Sequence, residues 1–152
     1  DGDIFIANDP YTTGNHISDV SVYAPVFHQG QLLAFAATVA HWADIGGKTP
    51  GGWCPDSVDV YQEGICFTHE KLVDSGTPNR ILWSIIRNNT RCPDVVIGDL
   101  NAQIAACRQG AEGHGAQFAS FRAVTARILI CDSSRQGRWT TLCRADTEGL
   151  GL

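Results

Sequence analysis

The sequence predicts an α+β fold, with a β-rich front half followed by two or three helices, cut from a larger domain. Three observations carry this. Val20 to Phe27 and Gln31 to Trp42 are apolar-rich runs separated only by His28-Gln29-Gly30, the spacing of a β-hairpin. From Thr77 the apolar period becomes helical, and a further series at helical spacing begins behind Pro93.

Ahead of the hairpin, Asn8-Asp9-Pro10-Tyr11 to His16-Ile17-Ser18-Asp19 is rich in turn formers. With Gln29 and Gly30 as a two-residue loop, His28 pairs with Gln31, and His41 falls opposite Ser18 and next to Asp19. Directly opposed Cβ atoms lie about 4.5–5.5 Å apart and diagonal ones about 7–8 Å. His41 and Asp19 therefore come within reach of one ion, in a register that a one-residue bulge would disturb. His16 lies just outside the strand, where the loop folds it over the same spot.

Taken singly, each of these residues reads as a hydrogen-bonded strand-end histidine or an ordinary turn former. Together, His16-Ile17-Ser18-Asp19 before one strand and His41-Trp42-Ala43-Asp44 after its partner call for a common explanation. A metal or a polar catalytic pocket provides one, because imidazole nitrogen and carboxylate oxygen are donors that divalent cations accept. His16, Asp19 and His41 are the candidate ligands. Asp9 and Asp44 are candidate catalytic residues that orient the histidines from the outer shell.

Ile45 to Gly52 carries four glycines. It lacks the first glycine and the spacing of a P-loop, and no strongly helical run follows, so nucleotide binding is rejected there. It reads as a substrate-facing loop beside Asp44 or as a plain connector. Asp56 to Phe67 alternates weakly and contains Gln62-Glu63-Gly64, which presents a carboxylate near the pocket or else lies on the surface.

Asn79 caps a helix whose Ile81, Leu82, Ile85 and Ile86 form an apolar face, ending around Asn88-Asn89. In the next helix Pro93 suits the first turn and Asp94 its positive end. There Val95, Val96, Leu100, Ile104 and Cys107 cover the sheet, while Asp99, Asn101, Gln103 and Arg108 are expected on a solvated face. Beyond Gly110 the character changes. Gly113-His114-Gly115 reads as a linker, Phe118 to Ile130 suits a helix or a strand, and the last twenty residues look poorly ordered or aberrant. A frameshift would produce such a change, which sequencing the locus would test.

With 43% apolar and 18% charged residues and a net charge of −5, the composition is that of a soluble globular enzyme, expected to be cytoplasmic. No run is long enough to span a bilayer. The 11 basic residues are scattered, which argues against nucleic acid as a partner. The 6 cysteines are too irregularly spaced for a zinc knuckle and read as free, mostly buried thiols. A chain that begins with Asp and contains no Met reads as a fragment.

Asp3-Ile4-Phe5-Ile6-Ala7-Asn8-Asp9-Pro10-Tyr11, Gly14-Asn15-His16-Ile17-Ser18-Asp19-Val20, Pro25-Val26-Phe27, Ala40-His41-Trp42-Ala43-Asp44-Ile45-Gly46-Gly47, Gln62-Glu63-Gly64 and Lys71-Leu72 resemble, in order and spacing, the hydantoinase B/oxoprolinase family. The likeness covers roughly residues 1 to 108, so residues 1–110 are taken as a family-like fragment and 111–152 as a divergent tail. It implies a metal-bearing subunit working in a hetero-oligomer beside a hydantoinase A-type ATPase subunit that binds ATP. It also implies a divalent ion, manganese or zinc, with His16, Asp19 and His41 at the ligand positions and a further Glu ligand upstream of Asp1. The partner would phosphorylate a small cyclic amide or ketone substrate, which the metal site would polarise for ring cleavage or carboxylation. A cyclic-amide hydrolase, an acetone- or acetophenone-type carboxylase subunit, and a non-catalytic fragment all remain open.

Overall fold

The computed structural model describes residues 2–13, 15–118, 125–132 and 139–146, with side chains through Glu112. Its strands are β1 (Ile4–Ala7), β2 (Asp19–His28), β3 (Gln31–His41), β4 (Glu70–Asp74), β5 (Thr77–Pro78), β6 (Thr125–Asp132) and β7 (Trp139–Asp146). They form a 7-stranded sheet in the order β5-β4-β1-β2-β3-β6-β7. The architecture is α+β, and its helices are α1 (Arg80–Asn88) and α2 (Pro93–Phe118).

Alternation in β2 and β3 decides which face of the sheet is covered. Val20, Val22, Ala24 and Val26 on β2, with Ala34, Ala36 and Thr38 on β3, are buried. The residues between them are mostly half-buried or exposed, as expected of a sheet packed on one side. Val96, Leu100, Ile104 and Cys107 of α2, with Leu82 and Ile86 of α1, join Val20, Val22 and Ala24 in the main core. Each fully buried aliphatic side chain of this kind contributes about 1.5–3 kcal/mol.

The hairpin turn is the two-residue loop expected, with Gln29 at φ 52° and Gly30 at φ 80°, the paired left-handed conformations of a type I′ turn. Its register differs from the expectation. His28 pairs with Gln31 and Phe27 with Leu32, but Val26 then pairs with Ala34, leaving Leu33 as an extra residue in β3. This bulge moves every later pair by one, so His41 stands opposite Asp19 rather than Ser18.

The helices begin where expected. Asn79 accepts a hydrogen bond from the Leu82 backbone N–H at 3.2 Å, and α2 starts at Pro93 with Asp94 in its first turn. Their buried stripes are narrower than expected. Leu82 and Ile86 point inward, while Ile81 (74% exposed), Ile85 and Val95 do not. Residues four apart share one narrow stripe, and a 9-residue helix has room to pack only one. Gln103, expected in solvent, is buried.

Between Asp56 and Phe67 the chain is irregular apart from a 3-10 turn at Val60–Gln62. Gly113-His114-Gly115 continues α2. Within Phe118 to Ile130, residues from Thr125 enter β6, which runs parallel to β3 through the crossover that α1 and α2 provide. In the tail, β7 pairs antiparallel with β6; residues 119–124, 133–138 and 147–152 lie outside the described residues. Of the cysteines, Cys54, Cys66 and Cys92 are free thiols, Cys66 exposed, and Cys107 is buried with its Sγ donating to the Val22 carbonyl at 3.1 Å. Among the described residues no helix is long and apolar enough to cross a membrane.

Candidate metal centre

The site forms where the two hairpin strands end. Asp19 opens β2 and His41 closes β3, and as a directly paired couple they project from the same face of the sheet, away from α2. The bulge at Leu33 produces this. Without it, Asp19 and His41 would be offset by one position and their side chains would leave opposite faces.

His16 is brought in by a turn in which the Asp19 N–H donates to the His16 carbonyl at 3.0 Å. The first of the two residues between them is anchored, since Ile17 is 1% exposed and its carbonyl accepts from the Asn8 amide at 2.6 Å. Asn8 is fully buried and also donates to the Ile65 carbonyl at 2.9 Å and accepts from the Phe67 N–H at 2.6 Å. It ties the loop that carries His16 to the segment after Glu63.

The His16 and His41 rings meet edge to face with centroids 4.9 Å apart, and His16 Nε2 lies 3.6 Å from Asp19 Oδ2. One donor atom from each of His16, Asp19 and His41 lies within 4.8 Å of the others. Ligands about 2.0–2.2 Å from a shared ion stand about 3.3–3.6 Å apart at the tetrahedral angle, so closing the set needs side-chain shifts of about 1 Å at its widest pair. Two imidazoles and a carboxylate, half open to solvent, therefore fit a divalent cation with free coordination positions. A cavity of roughly 230 Å³ adjoins them, lined by His16, Ser18, His41, the turn from Gly51 to Pro55, and Glu63.

His41 is held by its neighbour. Trp42 is fully buried, its backbone N–H donates to the Ser18 carbonyl at 2.9 Å, and its indole N–H donates to Gln103 Oε1 at 2.8 Å. The Gln103 amide donates in turn to the Val20 carbonyl at 2.9 Å. Sequence reasoning missed Asn8 and Gln103 as supports of the site. Asn8 had a signal in its place before the turn, and Gln103 had one in its helical spacing from Val96, Leu100 and Cys107.

The hydrogen bonds of the two candidate outer-shell aspartates go to groups other than His16 and His41. Asp44 is 3% exposed and accepts from the Arg91 backbone N–H at 2.7 Å, Arg91 Nη1 at 2.9 Å, the Thr90 hydroxyl at 3.1 Å, and the N–H groups of Gly46 and Gly51. Burial pushes its carboxyl up, but the hydrogen bonds from Arg91, Thr90 and Gly51 outweigh this and hold it below the usual carboxylate range. These bonds fasten the glycine-rich loop to the α1–α2 connection and include neither histidine. Asp9 accepts from the Tyr11 N–H at 3.0 Å and shapes its own turn.

The hydantoinase B/oxoprolinase family model matches residues 1–128. A protein assigned as the B component of a D-/L-hydantoinase in Pseudomonas sp. strain NS671 is 45% identical over 112 residues, which are 73% of this chain and 19% of that protein. The 5-oxoprolinase of Dictyostelium discoideum is 36% identical over 110 residues, 72% of this chain and 9% of its own length. Among solved structures, the ATP-dependent caprolactamase of Pseudomonas jessenii superposes with a TM-score of 0.70 at 32% identity, covering 81% of this chain and 21% of that one. A nucleotide-free acetone carboxylase gives 0.72 at 25% identity, covering 78% and 16%. The chain thus spans about a fifth or less of the length of these relatives.

Proposed function

The chain belongs to the hydantoinase B/oxoprolinase family, and on that premise we propose that it is part of the metal-bearing subunit of a cytoplasmic, ATP-dependent hydrolase of cyclic amides. The observation that carries the proposal is the convergence of His16, Asp19 and His41 beside a cavity. The names of relatives, 5-oxoprolinase and caprolactamase, support a cyclic-amide substrate.

His16, Asp19 and His41 would hold a divalent ion, manganese or zinc. When bound, such an ion supplies Lewis-acid polarisation of an amide carbonyl. Asp19 brings the negative charge, the two imidazoles fix the direction of approach, and the Gly51–Pro55 turn walls the cavity on which the substrate would rest. ATP would be bound by a hydantoinase A-type partner. The glycine-rich loop of this chain lacks P-loop spacing, and its relatives include proteins named as one component of a hydantoinase and of a caprolactamase.

A second reading, a subunit of an ATP-dependent carboxylase of small ketones, is favoured by the likeness to acetone carboxylase. Dependence of turnover on bicarbonate rather than water would select it.

Elemental analysis of the full polypeptide after exhaustive dialysis tests the site. Near-stoichiometric manganese or zinc, lost in His16→Ala and in His41→Ala, is the expected outcome. A folded protein holding no metal would reduce the chain to a non-catalytic member of its family.

A further inference from the structure

We propose that Glu63 is the substrate-recognition residue of this site, its carboxylate accepting the ring N–H of a cyclic amide whose carbonyl oxygen faces His16, Asp19 and His41. The proposal rests on the reading of a cyclic-amide hydrolase given above.

Glu63 lines the same cavity as His16 and His41. It is not a member of the cluster of His16, Asp19 and His41 whose donor atoms converge. Its carboxylate makes no hydrogen bond or ion pair with any described residue, unlike the carboxylates of Asp44 and Asp56 nearby, which are both engaged. An acceptor on a half-buried residue, without a partner among the described residues, retains its full capacity for a ligand donor.

The backbone beneath Glu63 is fixed from several sides. The Lys48 N–H donates to the Gln62 carbonyl at 2.7 Å, the Ile65 N–H to the Ile45 carbonyl at 3.0 Å, and the Glu63 N–H to the Val60 carbonyl at 3.1 Å. Gly47, at φ +83°, packs so closely that a Cβ there would lie 2.6 Å from both the carbonyl carbon and oxygen of Glu63. Only glycine permits that approach. The same contact joins the segment bearing Glu63 to the loop that Asp44 and Arg91 anchor, so the backbone from which the carboxylate projects is fixed on both sides.

Ring closure in a small lactam forces the amide cis, which sets its carbonyl and N–H side by side on one edge. A cation-binding cluster next to a carboxylate acceptor is complementary to that edge. Neither an ester nor an N-alkylated lactam offers the same pair of groups.

The test is calorimetric titration of the full polypeptide, loaded with manganese, against pyrrolidin-2-one and N-methylpyrrolidin-2-one. Wild type is expected to bind the N–H lactam roughly tenfold or more tightly than the N-methyl one, the usual scale for a hydrogen bond to a charged group. Glu63→Ala should abolish that preference with manganese content unchanged. Glu63→Gln, whose amide oxygen still accepts, should keep part of it, and Gly47→Ala should weaken it by displacing Glu63. A wild type without preference, a preference that survives Glu63→Ala, or manganese lost along with Glu63 would overturn the assignment. A wild type that binds neither lactam but keeps its metal also overturns it while leaving the metal centre standing. A wild type without metal sinks the metal centre instead, and the N–H preference is then read on the metal-free protein.

Discussion

Gln103 and Asp44 show how far a residue's role depends on what it touches. Glutamine on a helix is usually exposed, but Gln103 stands on the same face of α2 as Val96, Leu100 and Cys107, a place that residue type alone conceals. Its partner, the Trp42 indole, lies 61 residues away in sequence. Replacing it, as Gln103→Leu, removes the acceptor of a buried indole N–H and should cost about 1–3 kcal/mol, measured by urea unfolding. Because Trp42 follows His41, metal affinity should fall as well. Asp44 misleads in the opposite way. Its place in the second His-x-x-Asp suggests a role beside the histidines, but after His41 the chain turns, and the carboxylate is committed to Arg91 and Thr90. The convergence of His16, Asp19 and His41, by contrast, was legible from residue type and spacing.

At the level of elements, the hairpin was legible because its turn and alternation are local signals, and its register was not, because a bulge leaves no strong mark in sequence. Leu33 looks like any other strand residue, yet it decides whether Asp19 and His41 share a face. Helix starts were legible for the same local reason. Asn79→Ala should destabilise the fold by about 1 kcal/mol through the lost cap, visible as a lower urea midpoint at unchanged slope. Which apolar residues of α1 face inward was less legible, since Ile81 and Leu82 are equally apolar and only the docking against α2 and the sheet separates them.

Across the whole molecule, acid should weaken the fold through particular carboxylates. Asp3 is held below the ordinary range by the Ser75 N–H and by Lys71, and Asp44 by Arg91 and Thr90 against the opposing effect of burial. A group whose folded pKa lies below its unfolded value binds fewer protons when folded, so its stabilisation is complete above the unfolded value. It is lost as pH falls through the folded one. Stability should therefore hold from neutral pH down to about 4 and decline below, and Asp44→Asn should flatten that decline in pH-dependent urea titrations. The family, the α+β class, the hairpin with its turn, the helix caps and the three ligand candidates were determined by the sequence itself, because turn, cap and periodic signals act over a few residues. Tertiary structure alone decided the shifted register that puts Asp19 and His41 on one face, the pairing of Gln103 with Trp42, the burial of Asp44, the parallel pairing of β3 with β6, and the place of Glu63 at the cavity. Each of these depends on contacts between segments distant in the chain, where the free energy of burial and hydrogen bonding is realised only once the packed partners have met.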